Sequence, residues 1–365
     1  MVICGGFGVM GRLDPIEPDV AMQMYMSTRE DELRDKTLTS QRYRLLAFTR
    51  WCRAEEIENL NVLDGRTLHS FRASRRQGFE DYDEKYLDGY DPLEPQTLHN
   101  HLSTLRVFLR FCAQIDAVPE ELPSKILLPR VTENQQVSET TLDPDRAEEI
   151  LGYLDRYHYA TRKHLTVLLL WHLGCRVGGL RAIDLDDLDL EGSHPKVDGP
   201  AIHIVHRPEQ GTPLKNGEKG TRWNAISPYV AQTIEDYISG PRKDVRDDHD
   251  REPLLTTSHG RPQTGTFRNT AYAASRPCCY GEGCPHDEDP DTCEAMDYNF
   301  ASKCPSSRSP HDFRSGSLTR HLLEGTPKDV TQDRMNVSEK VLDRHYDRRT
   351  AREKMEQRRR YLPES

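Results

Sequence analysis

The chain has 365 residues, of which 35% are apolar and 30% charged. That length exceeds what one hydrophobic core usually fills, so two domains with large solvated surfaces are expected. The net charge of −10, from 60 acidic and 50 basic residues, argues mildly against a nucleic-acid partner unless the basic residues gather on one face.

Met1–Met10 is apolar but short, with no basic residues ahead of it. It is a poor signal peptide, and no stretch is long enough to span a bilayer. A cytoplasmic location without a membrane partner is the expectation.

Residues 1–14 read as a loose leader, and from about Pro15 to Val118 the pattern is helical. Leu98, Leu102, Leu105, Leu109 and Cys112 fall at steps of four, three, four and three, one stripe of a helix. Pro95 and Thr97 mark its start, with Thr97 as the N-cap. Tyr43, Leu46, Ala47 and Trp51 make a second stripe, on a helix decorated by Arg42, Arg44, Arg50 and Arg53. Arg72, Arg75 and Arg76 follow a third helical stretch. A small helical bundle with a basic side results. The acidic segment 80–95, punctuated by Gly and Pro, reads as a loop.

Residues 119–137 contain three prolines and read as an interdomain linker. A second domain starts near Ser138. Its first helix, 144–157, places Ile150, Leu151 and Leu154 on one face. Residues 163–173 (KHLTVLLLWHL) are apolar nearly all round, which predicts a central buried helix, ended by Gly174. Ala201–His206 and Trp223–Ile226 predict an antiparallel hairpin, and Val230–Ile238 another helix. The fold class expected is mainly α with a small antiparallel β-sheet.

Five short segments carry candidate chemistry, and each has an ordinary structural reading when taken alone. Arg176 directly follows the buried helix. Its planar fork of donors matches two phosphate oxygens, or it simply serves last-turn carbonyls. Lys215, in the predicted hairpin, is placed to donate a proton or is a solvated loop lysine, with Lys219 as the competing candidate. In Ser309-Pro310-His311-Asp312-Phe313-Arg314, Ser309 reads as N-cap, Pro310 as the first helical residue and Asp312 as the capping-box acid. His311 and Arg314 then share a face at a helix N-terminus, where an anion is favoured. Asn336, like Ser338, reads as a cap of the next helix or as a hydrogen-bond donor to phosphate. Tyr346 sits on an amphipathic stretch, where a tyrosine is ordinarily core.

Together, the order Arg…Lys…His-x-x-Arg…Asn…Tyr resembles the tyrosine recombinase (phage integrase) family. The resemblance is carried by LGCRVGGLRAIDLDDLDL, SPHDFRSGSLTRHLLEG and NVSEKVLDRHYDRR. It covers roughly Ser138 to Tyr361, and more loosely the N-terminal half, and it looks most like integrase-like proteins of halophilic archaea. It implies a helical core-binding domain over 15–118 and a catalytic domain of the DNA breaking–rejoining fold over 138–361. It also implies Tyr346 as nucleophile, with Arg176, Lys215, His311 and Arg314 as its catalytic partners. Two positions depart from the family's pattern. The acid usual three residues after the first arginine is Gly179, and the His or Trp expected about ten residues before the tyrosine is Asn336, which cannot act as an acid or base near neutral pH.

The implied reaction is attack of the phenol on a DNA phosphodiester, giving a 3′-phosphotyrosyl link that a 5′-hydroxyl later resolves, without a catalytic metal or other cofactor. The implied partner is double-stranded DNA held between the two domains, by a homotetramer on two DNA sites. Arg42, Arg44, Arg72, Arg75 and Arg76 are candidate backbone contacts. The Arg-rich tail after Tyr346 packs on a neighbouring subunit or touches DNA. A regulator of the same fold without catalysis, an enzyme that only relaxes supercoils, and a zinc-dependent binding module are the alternatives.

Of nine cysteines, Cys4, Cys52, Cys112 and Cys175 are scattered and five crowd between Cys278 and Cys304. Cys278, Cys284, Cys293 and Cys304 are a candidate structural zinc set, with His286 among them, although no CxxC pair is present. A loop of reduced thiols is the alternative.

Overall fold

The chain divides into a unit spanning 1–137 with one hydrophobic core and a unit spanning 138–365 with a main core and a smaller cluster around Leu318, Met335 and Leu342. The computed structural model describes residues 13–78, 91–131, 140–193, 198–281, 283–345 and 350–359. Most of the leader, most of the acidic loop and the end of the segment read as a linker fall outside these ranges.

The first unit is helical: α1 (Pro18–Thr28), α2 (Asp35–Ala54), α3 (Gly65–Gln77) and α4 (Pro95–Gln114). The Leu98–Cys112 stripe is buried throughout on α4. That helix starts at Pro95, with Glu94 rather than Thr97 at the N-cap, because proline's fixed φ suits the first helical position. On α2 the buried face is Leu45, Ala47, Phe48, Trp51 and Cys52, whereas Tyr43 is 59% exposed. Phe48 meets Phe71 edge-on with ring centroids 5.2 Å apart, and Tyr25 meets Phe108 at 5.6 Å, the tilt that ring quadrupoles favour. The segment read as a linker is partly folded. Leu122, which opens a 3₁₀ turn at Leu122–Lys125, and Ile126, which follows it, belong to this core.

The second unit contains α5 (Pro144–His158), α6 (Arg162–Leu173), α7 (Val177–Ala182), β1 (Leu188–Asp189), β2 (Ala201–Ile204), β3 (Arg222–Ala225), α8 (Pro228–Ser239), α9 (Thr264–Ala274), α10 (Pro310–Leu323), α11 (Lys328–Met335), α12 (Glu339–His345) and α13 (Ala351–Arg359). The three strands form one antiparallel sheet in the order β1-β2-β3, with Leu188 opposite Ile202 and His203 opposite Trp223. Among the described residues, no helix is long and apolar enough to cross a membrane.

Helix α6 is the hub, as its sequence requires. His164 through Trp171 are all buried, and α5, α8, α9 and α10 pack around it. Thr161 accepts from the His164 N–H at its start, and Gly174 ends it in the left-handed conformation at φ 54°. Helix α10 approaches closely through Gly316, where an added Cβ would fall 2.0 Å from the Leu142 carbonyl oxygen and 2.8 Å from the Trp171 ring. Beside the sheet, buried Asp184 accepts from Arg251 Nε at 2.7 Å and pairs with Arg261, while Arg207 Nη1 lies 3.5 Å away. Charges this deep are tolerable only when paired.

Candidate active site

Local structure sets each candidate side chain in place. Gly174 turns the chain out of α6, Cys175 is buried, and Arg176 becomes the N-cap residue of α7. Burial pushes the Cys175 thiol's pKa up, so it packs as a neutral group. Arg176 Nη1 donates to the Asn336 carbonyl at 3.2 Å.

The capping box at the head of α10 forms as its sequence predicts: Ser309 Oγ accepts from the Asp312 N–H, and Asp312 returns the bond to the Ser309 N–H at 2.7 Å. Thr140 Oγ1 also donates to Asp312, at 2.9 Å. This fixes the first turn. His311 is left exposed, whereas Arg314 is 1% exposed. Arg314 Nη1 donates to the Gly174 carbonyl at 2.5 Å and to the Met335 carbonyl at 2.8 Å. One guanidinium thereby ties α10 to the ends of α6 and α11.

Asn336 does not cap the helix that follows. It closes α11 in the left-handed conformation, φ 50°, which asparagine tolerates better than most residues. Its side chain grips the β2–β3 loop: Asn216 Nδ2 donates to Asn336 Oδ1, and Asn336 Nδ2 donates to the Lys219 carbonyl. Lys215, exposed in that loop, lines a small pocket with Arg176, Gly179, Arg222 and Asn336. Gly179 is buried, and a Cβ there would make ordinary 3.6 Å contacts with Cys175 and Ile204.

Arg176, Lys215, Arg314 and Asn336, spread over more than a hundred residues, are thus gathered at one end of α6. His311 lies three residues from Arg314 on α10. Tyr346 lies outside the described residues, which resume at Thr350; α12 leads toward it and ends at His345.

Two cations here escaped the sequence reading. Arg222, the first residue of β3, donates through Nε to the Arg334 carbonyl and through Nη1 to the Gly220 carbonyl, both at 2.8 Å. Arg334 donates to the carbonyls of Ala225 at 2.8 Å and His172 at 3.0 Å. Burial lowers the pKa of both, and Arg314, Arg176 and Arg334 depress Arg222 further. The available signal was Arg222 itself, one residue ahead of a strand read as starting at Trp223.

Of the other candidates, Arg42 and Arg76 are exposed on the helical unit, and Arg72 is half-buried. Arg44 is half-buried and donates to Thr104 Oγ1 at 3.1 Å. Arg75 departs from the expectation of a surface contact: it is 1% exposed, inside the bundle. Cys278, Cys284, Cys293 and Cys304 are half-buried free thiols. Cys278 Sγ lies 3.8 Å from Met296 Sδ. Among the described residues, no three His, Cys, Asp or Glu side chains are gathered as a metal shell.

A helical unit followed by a mainly helical unit with a three-stranded antiparallel sheet is the architecture of the tyrosine recombinases, and the chain has that fold. It is similar to the Tn1549 transposon integrase in complex with a circular intermediate DNA, with a TM-score of 0.62 and 16% identity over 95% of this chain and 100% of that one. The same integrase in complex with transposon right end DNA gives 0.60 and 16%, over 94% and 99%. A lambda integrase dimer bound to a COC′ core site gives 0.59 and 13%, over 93% and 79%. No protein-family model and no curated protein matches the chain.

Proposed function

We propose that the chain is a site-specific tyrosine recombinase that cuts and rejoins duplex DNA. Tyr346 attacks a phosphodiester, forms a 3′-phosphotyrosyl bond and releases a 5′-hydroxyl. A 5′-hydroxyl of the partner strand then attacks that bond and restores the phenol. A phenol has an unperturbed pKa near 10 and needs help to lose its proton; His311 assists or holds the phosphate. Arg176 and Arg314 hold the non-bridging oxygens as charge builds on them, Lys215 protonates the leaving 5′-oxygen, and Asn336 positions the lysine loop.

One observation carries this reading. Arg314 is bonded to Gly174, two residues before Arg176, and to Met335, next to Asn336, and Lys215 lines a pocket with Arg176 and Asn336. Cations remote in sequence thus converge on a fold seen in integrases bound to DNA. Arg42, Arg44, Arg72 and Arg76 contribute backbone contacts, a homotetramer acts on two DNA sites, and Cys278, Cys284, Cys293 and Cys304 hold a structural zinc measurable as one metal per chain.

The decisive experiment is a nicked suicide substrate. The wild-type chain should trap a covalent adduct, while Tyr346→Phe should bind the same DNA and trap none. An adduct with Tyr346→Phe, or none with wild type under conditions of tight binding, overturns the proposal.

A further inference from the structure

At the opposite end of α6 from Arg176 lies a cavity of about 610 Å³, in the size range of small-molecule sites. Four cations line it: Arg162, Lys163, Lys243 and Arg276. Among the described residues, no carboxylate lines it. Arg162 and Lys163 are the first two residues of α6. The N-terminus of a helix carries partial positive charge and is stabilised by anions, so two cations there oppose the dipole.

Arg276 is the independent observation. It is 5% exposed, and its Nη1 is buried with no hydrogen-bond partner among the described residues. A buried guanidinium nitrogen left unsatisfied is costly, and an anion held by the same guanidinium offsets that cost. Burial lowers the Lys163 pKa, while nearby Cys279 raises it and Arg276 lowers it. Thr257 and Ser258 add hydroxyl-bearing residues, while Tyr237, Pro241 and Ala273 supply apolar wall.

We infer that this cavity binds a phosphorylated small molecule of nucleotide size, with its phosphates on Arg276, Lys163 and the head of α6, and its organic part against Tyr237 and Pro241. The site is separate from the proposed strand-cleavage centre, because the whole length of α6, some 17 Å at the standard rise, lies between them.

Calorimetric titration of the full chain at constant ionic strength, with ADP and inorganic pyrophosphate as probes, tests it. ADP should bind saturably at one site per chain and more tightly than pyrophosphate. Lys163→Met and Lys243→Met should each weaken it about tenfold, and Arg176→Gln should leave it unchanged. Those two lysine variants guard against misfolding of the more buried Arg276→Met. The inference fails if ADP does not bind, or if both lysine variants bind like wild type. It also fails if pyrophosphate binds as tightly as ADP, or if Arg176→Gln abolishes binding, which would place the phosphate at the cleavage centre. Displacement of ADP by duplex DNA in Arg176→Gln would make the DNA backbone the ligand and overturn it as well.

Discussion

Replacing Gly316 by alanine tests the claim that α10 is held against its neighbours at backbone contact. A methyl carbon there would lie 2.0 Å from the Leu142 carbonyl oxygen and 2.8 Å from Trp171. Helix propensity alone favours the alanine by about 1 kcal/mol. Against that, α10 or the Leu142 segment must retreat by roughly 1 Å, and overpacking of this kind costs about 1–3 kcal/mol or more. Neither neighbour yields readily. Leu142 is fully buried with its N–H on the Asp312 carbonyl, and the Trp171 carbonyl accepts from Ser317 at 2.6 Å.

A net loss near 2 kcal/mol lowers the melting temperature by roughly 4–8 °C for a unit of this size. Because Arg314 rides on the same helix two residues away, a 1 Å displacement should also slow strand cleavage by about 100-fold. The control is Gly152→Ala on α5, where nothing among the described residues lies within 4 Å of the new methyl and the helix should gain about 1 kcal/mol. Calorimetry and single-turnover cleavage of the nicked substrate read both effects. If Gly316→Ala proves as stable as Gly152→Ala, the close approach is not what positions α10.

Asp184→Ala leaves Arg207, Arg251 and Arg261 without their shared carboxylate and should cost about 3–5 kcal/mol, seen as a shift of the urea midpoint; a smaller loss than a surface substitution would show the network to be dispensable. Asn336→Ala removes the grip on the Asn216–Lys219 loop and strains a left-handed position, whereas Asn336→Gly removes the grip alone. Both should slow cleavage by a similar factor, with only the alanine variant losing about 1 kcal/mol of stability as well; unaltered cleavage would leave the loop contact without a role in positioning Lys215. Burial holds His101 and His172 at a pKa of about 4 in the fold, below the 6.5 of an unfolded chain. The unfolded state therefore binds the proton first, and stability should fall as pH drops from about 6.5 toward 4, by at most about 1.4 kcal/mol per pH unit for each histidine. A melting temperature flat across that window, or rising on acidification, contradicts this.

The sequence was most readable where local chemistry decides structure. The α4 stripe, the all-apolar α6 and the Ser309–Asp312 capping box follow from periodicity and from side chains that bond their own backbone. The strand β1 was not readable: two residues, Leu188 and Asp189, have no period, and only pairing with β2 defines them. The short α11 was missed because its sequence, KDVTQDRM, buries just Thr331 and Met335. As a cap, Asn336 serves the preceding helix and not the following one, because a left-handed C-cap and an N-cap favour the same residue. Arg75 and Arg222 show the same limit. An arginine's sequence neighbours do not tell whether its guanidinium faces solvent or a set of distant carbonyls.

Arg314 answers to two demands at once. Its bonds to Gly174 and Met335 make it a structural rivet, and the proposed function adds the holding of phosphate. A descendant released from the proposed chemistry would still have reason to keep this arginine for its architecture.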